Sequence, residues 1–378
     1  MKAYKFKLKM NKAFAARCEQ TLNVCRELYN SALRERIDAY RITGKSVSYQ
    51  EQQNQLPEIK LIREDIAAAH SQVVQDPLRR VSRAFDAFFQ RCLQGEMKAG
   101  FPRFKSKHRY NSFTYPQSGF RLDGDKLTLS KIGSCRTRLS REIEGRIKTC
   151  TIKRQVDGWF VIFTAETAMK PLPKTGDSIG IDVGLESYAT LSDGQVIDNP
   201  RFLRKSERDI KVAQRVVSKR KRGGSNRRKA VRILARKHQK IANQRSDFFH
   251  KLSNQLLKEY DYIAIEDLNI KGMLKNHALA KSIADAAWGT FANILSAKAE
   301  NAGRKVVRVL AAFTSQDCSA CGERVRKTLA TREHRCINPL CGLELHRDHN
   351  AAINVLARSE RLDRVNAVTR RPKNLRHS

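Results

Sequence analysis

The chain opens on an alternation, with Tyr4, Phe6, Leu8 and Met10 on one side and Lys5, Lys7 and Lys9 on the other. A period of two predicts a half-buried β-strand with a basic face. From Asn11 the period lengthens. Phe14, Cys18, Leu22, Cys25, Tyr29 and Leu33 recur at steps of three and four, the stripe of an amphipathic helix. A second helix is predicted from about Asp65, broken or kinked at Pro77 because proline brings no N–H to the helical ladder. Its stripe continues through Leu78, Val81, Ala84, Phe85, Phe88 and Phe89, with Arg79, Arg80, Arg83 and Arg91 along the rim. In residues 100–116, GFPRFKSKHRYNSFTYP, aromatics interleave with Lys and Arg. Such rings can stack on bases while the cations meet phosphates, although aromatics in strands are also ordinary core. Residues 120–168 read as strands parted by Asp123-Gly124 and Asp157-Gly158 turns, with IKTCTIKRQVDGWFVIFTAET as a hairpin. PLPKTGD, residues 171–177, is the clearest linker.

A second architecture follows. DSIGIDVGLESYATLSDGQVI predicts a strand, a turn at Gly184 and a hairpin closed by Asp193-Gly194. Between Arg201 and Arg245 a dense run of Lys and Arg keeps helical spacing at Ile210, Ala213, Val217, Val231 and Leu234, with a Gly223-Gly224-Ser225-Asn226 turn. This predicts a basic helical hairpin. The strand YIAIE, a helix over about 283–301 and the strand RKVVRVL come next; beyond about Ser359 the polar, basic sequence predicts disorder. The fold class is α/β and multi-domain.

Charge sharpens this picture. Lys and Arg number 74 against 38 Asp and Glu in 378 residues, a formal charge of +36. An excess of that size draws in a polyanion, and nucleic acid is the usual one because each phosphate contact releases counterions. No apolar run approaches the ~18 residues of a membrane span, and MKAYKFKLKM lacks the apolar core of a signal peptide, so a cytoplasmic protein is expected, with no membrane partner. Of nine cysteines, five (Cys18, Cys25, Cys92, Cys135, Cys150) are scattered and four are bunched.

The bunched four, Cys318, Cys321, Cys336 and Cys341, make C-x2-C, a 14-residue spacer and C-x4-C. Two short knuckles of this kind present four thiolates to one structural Zn²⁺. His334 and His346 lie nearby, but four sulfurs already complete a tetrahedral shell. Three carboxylates stand out by where they fall. Gly180, Asp182 and Gly184 share a strand face opposite Ile179, Ile181 and Val183; Glu266 shares one with Ala264; Asp348 begins a run whose Ala351, Ala352, Val355 and Leu356 return at helical spacing. Each has an ordinary alternative: Asp348 as a helix cap, Glu266 in an ion pair, Asp182 bonded to a turn. Together, in so basic a chain, they suggest a site for divalent metal, two Mg²⁺ about 4 Å apart acting on a phosphodiester. HRDHNAAINVLA also begins like a kinase catalytic loop, but Ile353 stands where that loop places its metal-binding Asn.

Taken in order, GFPRFKSKHRYNSFTYP, GIDVGLESYATLSDG, IAIEDLNIKGM, TSQDCSACG and CGLELHRDHNAAINVLA resemble the TnpB (OrfB) family of bacterial insertion sequences, compact relatives of type V CRISPR effectors. The resemblance implies a small wedge-like β-barrel at 1–10 and 96–172, with an inserted helical nucleic-acid recognition domain at 11–95. It implies a ribonuclease-H-like (RuvC) domain at 173–312 and 342–360, interrupted by a zinc ribbon at 313–341, and leaves 361–378 as a disordered basic tail. By motif, Asp182, Glu266 and Asp348 would be the catalytic Mg²⁺ ligands, and Cys318, Cys321, Cys336 and Cys341 the zinc ligands. The activity implied is Mg-dependent, RNA-guided DNA cleavage beside a short target-adjacent motif. The partners would be a guide RNA from the transposon end and double-stranded target DNA, with no small-molecule substrate. A guide-directed DNA-binding repressor is the alternative, which an intact acidic triad disfavours. A transposase acting by its own Tyr or Ser nucleophile finds no distinct motif here.

Overall fold

β1 (Lys2–Lys9) buries Tyr4, Phe6 and Leu8 and leaves its lysines outside, as its alternation requires. The structure, a computed structural model, describes residues 1–95, 99–328 and 331–369, with side chains to 363. These fall into two units, Met1–Ala168 and Met169 onward.

In the first unit, α1 (Lys12–Thr43) starts where the Asn11 side chain accepts the Phe14 N–H at 2.8 Å and ends at Gly44, in the left-handed conformation that glycine tolerates best. Short helices α2 (Tyr49–Asn54), α3 (Leu56–Ile62) and α4 (Glu64–Ala67) lead to α5 (Ser71–Leu93). The strands are β2 (Ser112–Tyr115), β3 (Phe120–Asp123), β4 (Lys126–Leu129), β5 (Gly133–Arg138), β6 (Arg146–Gln155) and β7 (Gly158–Glu166). With β1 they form one seven-stranded sheet in the order β2-β6-β7-β1-β5-β4-β3, every pairing antiparallel. The α1 and α5 stripes and the inner sheet face share one core containing Phe6, Phe14, Leu33, Val74, Phe113 and Phe163.

The helix expected to be broken or kinked at Pro77 is not broken there. The interruption lies at 68–70, and α5 runs through Pro77. Proline leaves the carbonyl four residues back without its helical donor. That carbonyl belongs to Val73, and the buried Cys25 thiol of α1 donates to it at 3.7 Å.

The second unit contains β8 (Ser178–Val183), β9 (Ser187–Leu191), β10 (Val196–Asp198), α6 (Phe202–Lys205), α7 (Glu207–Lys219), α8 (Ser225–Glu259), β11 (Tyr262–Asp267), α9 (Ile270–Met273), α10 (Ala280–Ala286), α11 (Trp288–Ala302), β12 (Lys305–Leu310), β13 (Glu333–Arg335), β14 (Glu344–His346) and α12 (Arg347–Thr369). The sheet order is β10-β9-β8-β11-β12: β8, β11 and β12 run parallel, β9 pairs antiparallel with β8, and β10 pairs antiparallel with β9. The sheet is two-faced. Ile179, Ile181, Ile263 and Ile265 pack with Phe249 and Leu256 of α8 and Phe291 and Leu295 of α11. Ala264 and Val309 on the other face meet Val355 and Leu356 of α12.

The basic hairpin is α7 and α8 joined through 220–224. The helix expected over 283–301 is two helices, divided at Ala287, whose φ of 51° is left-handed. The linker at 171–177 is pinned: Asp261 accepts the Thr175 and Gly176 N–H groups at 2.9–3.0 Å, and buried Arg304 pairs with Asp261 and donates to the Pro173 carbonyl at 2.7 Å. The tail predicted to be disordered from 361 is helical as far as Thr369, because extending an established helix costs one residue's ordering per added hydrogen bond. The remainder of that tail, 370–378, lies outside the described residues.

Candidate active site and metal centre

Asp182 and Glu266 come to the same edge of the site because β8 and β11 are parallel and in register: Gly180 pairs with Ala264 and Ile181 with Ile265, and each carboxylate is the next residue along. Asp348 lies in the first turn of α12, which packs across these strands. Gly180 sets how closely it packs. A Cβ there would lie 2.1 Å from the Ala352 carbonyl and 2.9 Å from Leu356, so only glycine lets α12 settle against β8. The helix start is thereby lowered onto the end of the two strands.

The electrostatics follow from crowding. Burial pushes the Asp182 carboxyl well above its ordinary range, and the charges of Glu266 and Asp348 push it further, against Arg347. Glu266 is also raised by burial, with Asp348 adding to the effect and the Thr314 hydrogen bond and Arg358 opposing it. Glu266 and Asp348 are 9% and 8% exposed. Carboxylates sharing a desolvated site repel one another, and a cation among them relieves both costs. The Arg347 Nε donates to Asp348 Oδ1 at 3.2 Å, and the Asp348 N–H donates to His346 Nδ1 at 3.3 Å.

The cysteines form a tighter set. Among the described residues, Cys318, Cys321, Cys336 and Cys341 bring their sulfurs within 4.8 Å of one another. Cys318 and Cys341 are 3.7 Å apart at Sγ, and Cys321 and Cys336 3.5 Å. A tetrahedron with Zn–S bonds of ~2.3 Å has sulfurs about 3.8 Å apart, so the cage fits zinc. Gly322 and Gly342, both at positive φ, close the knuckles by donating to the carbonyls of Cys318 and Asn338. The Cys318 thiol is drawn down to about 7: burial pushes it up, and the backbone N–H groups of Cys321 and Ala320 and the neighbouring thiols outweigh that. His334 stays outside the cage, buried beside the Lys327 ammonium.

Three residues that periodicity did not single out tie the two centres together. Asn350, Asn354 and Arg358 recur every four residues on α12, a polar stripe beside the apolar one. Asn350 accepts the Ser319 N–H at 2.9 Å and donates to the Asp317 carbonyl at 2.8 Å. Asn354 donates to the carbonyls of Thr314 and Asp317. Arg358 donates to Leu310 and Ala312 and pairs with Asp317 at 2.7 Å. Thr314, held in this way, donates its hydroxyl to Glu266 Oε1 at 2.6 Å. The segment entering the cysteine cage thus also orients the second carboxylate.

With this geometry in place, the relatives are informative. A family model described as "Probable transposase" (OrfB_IS605) matches residues 152–277, and a "Cas12f1-like, TNB domain" model matches 288–355. A Streptomyces pristinaespiralis protein named "Putative RNA-guided DNA endonuclease" is 36% identical over 365 residues, covering 94% of this chain and 89% of its own length. The chain belongs to the TnpB (OrfB) family. A second TnpB-family relative, from Escherichia coli K12 and named "Putative RNA-guided DNA endonuclease InsQ", is 30% identical, covering 94% of this chain and 92% of its own length. The protein in a cryo-EM structure of a Cas12f1-sgRNA-target DNA complex aligns with a TM-score of 0.58 at 15% identity over 91% of this chain and 82% of that one, a likeness of fold. A "Helix-turn-helix domain" model matches residues 1–45, where this TnpB-family chain has a strand and one long helix.

Proposed function

We propose that this chain is an RNA-guided DNA endonuclease, cutting target DNA beside a short adjacent motif by metal-dependent phosphodiester hydrolysis. The observation that carries the reading is the convergence of Asp182 and Glu266 with Asp348 at the start of α12, the helix that Gly180 lets settle against β8. The names of the relatives and the charge of +36 support nucleic-acid partners: a guide RNA from the transposon end and double-stranded DNA.

In this reading the three carboxylates hold Mg²⁺, two ions in all, and the four cysteines hold one structural zinc. Bound Mg²⁺ supplies an activated water and stabilises the leaving oxygen. The protein's own part is positioning. Thr314 fixes the Glu266 carboxylate, Arg347 and the His346 ring fix Asp348 at the helix start, and the β8–β11 register fixes Asp182 against Glu266. The second unit would be RuvC-like, with the ribbon at 313–341 inserted before the last carboxylate. The first unit would combine the wedge-like barrel with the helical recognition region.

The reading is tested by expressing the gene with its flanking DNA and sequencing the RNA that co-purifies. A discrete RNA overlapping or following the reading frame, which programs cleavage of matching DNA in Mg²⁺, is the expected result. Random host RNA and no programmed cleavage would reduce the protein to a general basic binder.

A further inference from the structure

Phe313, in the turn between β12 and the cysteine cage, combines two features that seldom occur together. Its φ is 65°, in the left-handed region that a bulky side chain rarely occupies. The conformation is locked by its own carbonyl, which accepts the N–H groups of Gln316 at 3.0 Å and Asp317 at 2.9 Å. Burial of the ring could offset such backbone strain, yet Phe313 is 48% exposed. The fold thus holds a strained residue in place and displays its ring instead of packing it.

The ring is also supported. The Arg324 guanidinium lies over it, 3.9 Å from its centre. Arg324 is held there twice: its Nε donates to Asp317 Oδ1 at 2.8 Å, and a backbone bridge pairs residues 317 and 324 across the first knuckle. Asp317 is fixed in turn by Arg358 of α12 at 2.7 Å. Because Arg324 is paired with Asp317, what the feature presents is a braced aromatic surface rather than a free charge. Its place in the chain matters most. The next residue is Thr314, whose hydroxyl donates to Glu266 Oε1 at 2.6 Å, and successive Cα atoms are ~3.8 Å apart. The ring therefore stands beside the candidate carboxylate site.

We propose that Phe313 is a stacking platform for one unpaired base of the DNA strand being cut, seating it so that a neighbouring phosphate meets Asp182, Glu266 and Asp348. A base inside a duplex is covered on both faces, whereas an unpaired base has a face to offer an aromatic ring. Every base has such a face, so the platform needs no particular base, which suits a site whose sequence choice is made by a guide. The inference rests on the nuclease reading above and names a contact by which that site holds its substrate.

The test measures single-turnover cutting of matched target DNA in Mg²⁺ by the full chain with its co-purified RNA. An abasic nucleotide is moved one position at a time along the cut strand near the cut. The parent is expected to cut about tenfold more slowly when the abasic position coincides with the stacked base, the loss of one base–aromatic stack. Phe313→Ala is expected to cut the intact strand about tenfold more slowly and to be indifferent to that same position, because the two losses remove one contact and do not add. Phe313→Trp should keep the parent rate. Phe313→Gly, which suits the left-handed backbone, should melt no lower than the parent yet cut like Phe313→Ala. Equal cutting by the parent and Phe313→Ala, or a parent with no sensitive abasic position near the cut, would overturn the platform. So would abasic penalties that persist unchanged in Phe313→Ala, which would assign the ring a purely structural role. A parent complex that left matched DNA uncut would overturn the nuclease reading itself, and the platform with it.

Discussion

Gly180 and Asp182 sit two residues apart on one strand face and pull in opposite directions: the first lets α12 approach, and the second charges the space beneath it. Gly180→Ala should destabilise the chain by about 1–3 kcal/mol, because its Cβ meets helix backbone rather than a flexible side chain. Urea unfolding would measure the change. Asp182→Asn should act the other way in metal-free protein, raising stability by about 1 kcal/mol through loss of like-charge repulsion, while abolishing the stabilisation that Mg²⁺ confers. The pH dependence follows in sign. Asp182 and Glu266 hold protons more tightly folded than unfolded, so metal-free stability falls as pH rises above the ordinary carboxylate range. Saturating Mg²⁺ should flatten that slope in thermal melts. The three carboxylates were legible as residues because each is a polar exception on an apolar face. Thr314 was not, because its partner Glu266 is 48 residues away and no periodicity reports such a bond. Thr314→Val should lower cleavage at least tenfold and Thr314→Ser should restore most of it, with zinc content unchanged.

At the scale of elements, strands were read most faithfully, since alternation over a few residues is a local signal: β1, β6, β7, β8 and β11 stand where the pattern places them. Helix ends were harder. The α5 helix passes through Pro77 because another helix supplies a thiol to the freed Val73 carbonyl, a tertiary remedy invisible from the local sequence. Ala287 divides α10 from α11 at a residue that carries no breaker signal. The Asn350, Asn354 and Arg358 stripe went unread, because its meaning depends on the loop that lies across it. Removing two of its members, in Asn350→Ala with Asn354→Ala, should cost about 2–4 kcal/mol, since each leaves buried backbone groups without partners. Limited proteolysis should then cut first in residues 310–345.

At the scale of the whole molecule, the chain joins a seven-stranded antiparallel sheet with its helices to a mixed sheet with helices on both faces, and a four-cysteine cage stands between the last strand of that sheet and the helix bearing Asp348. The α/β class, the cysteine cage and the gathering of the carboxylates were all legible in the sequence; the hold of α12 on the loop entering the cage was not, because its partners lie 31 to 48 residues apart along the chain. Zinc and Mg²⁺ should be separable in their effects: chelating zinc should loosen residues 313–345 and lower Mg²⁺ affinity, whereas removing Mg²⁺ alone should leave the cage intact. The most direct measurement is cleavage of guide-matched DNA in Mg²⁺ by the parent complex and by Asp182→Ala, Glu266→Ala and Asp348→Ala complexes carrying the same RNA, with DNA binding measured alongside. The predicted result is cutting by the parent alone, with all four binding the target. Undiminished cutting by any one variant would remove that carboxylate from the site and contradict the assignment.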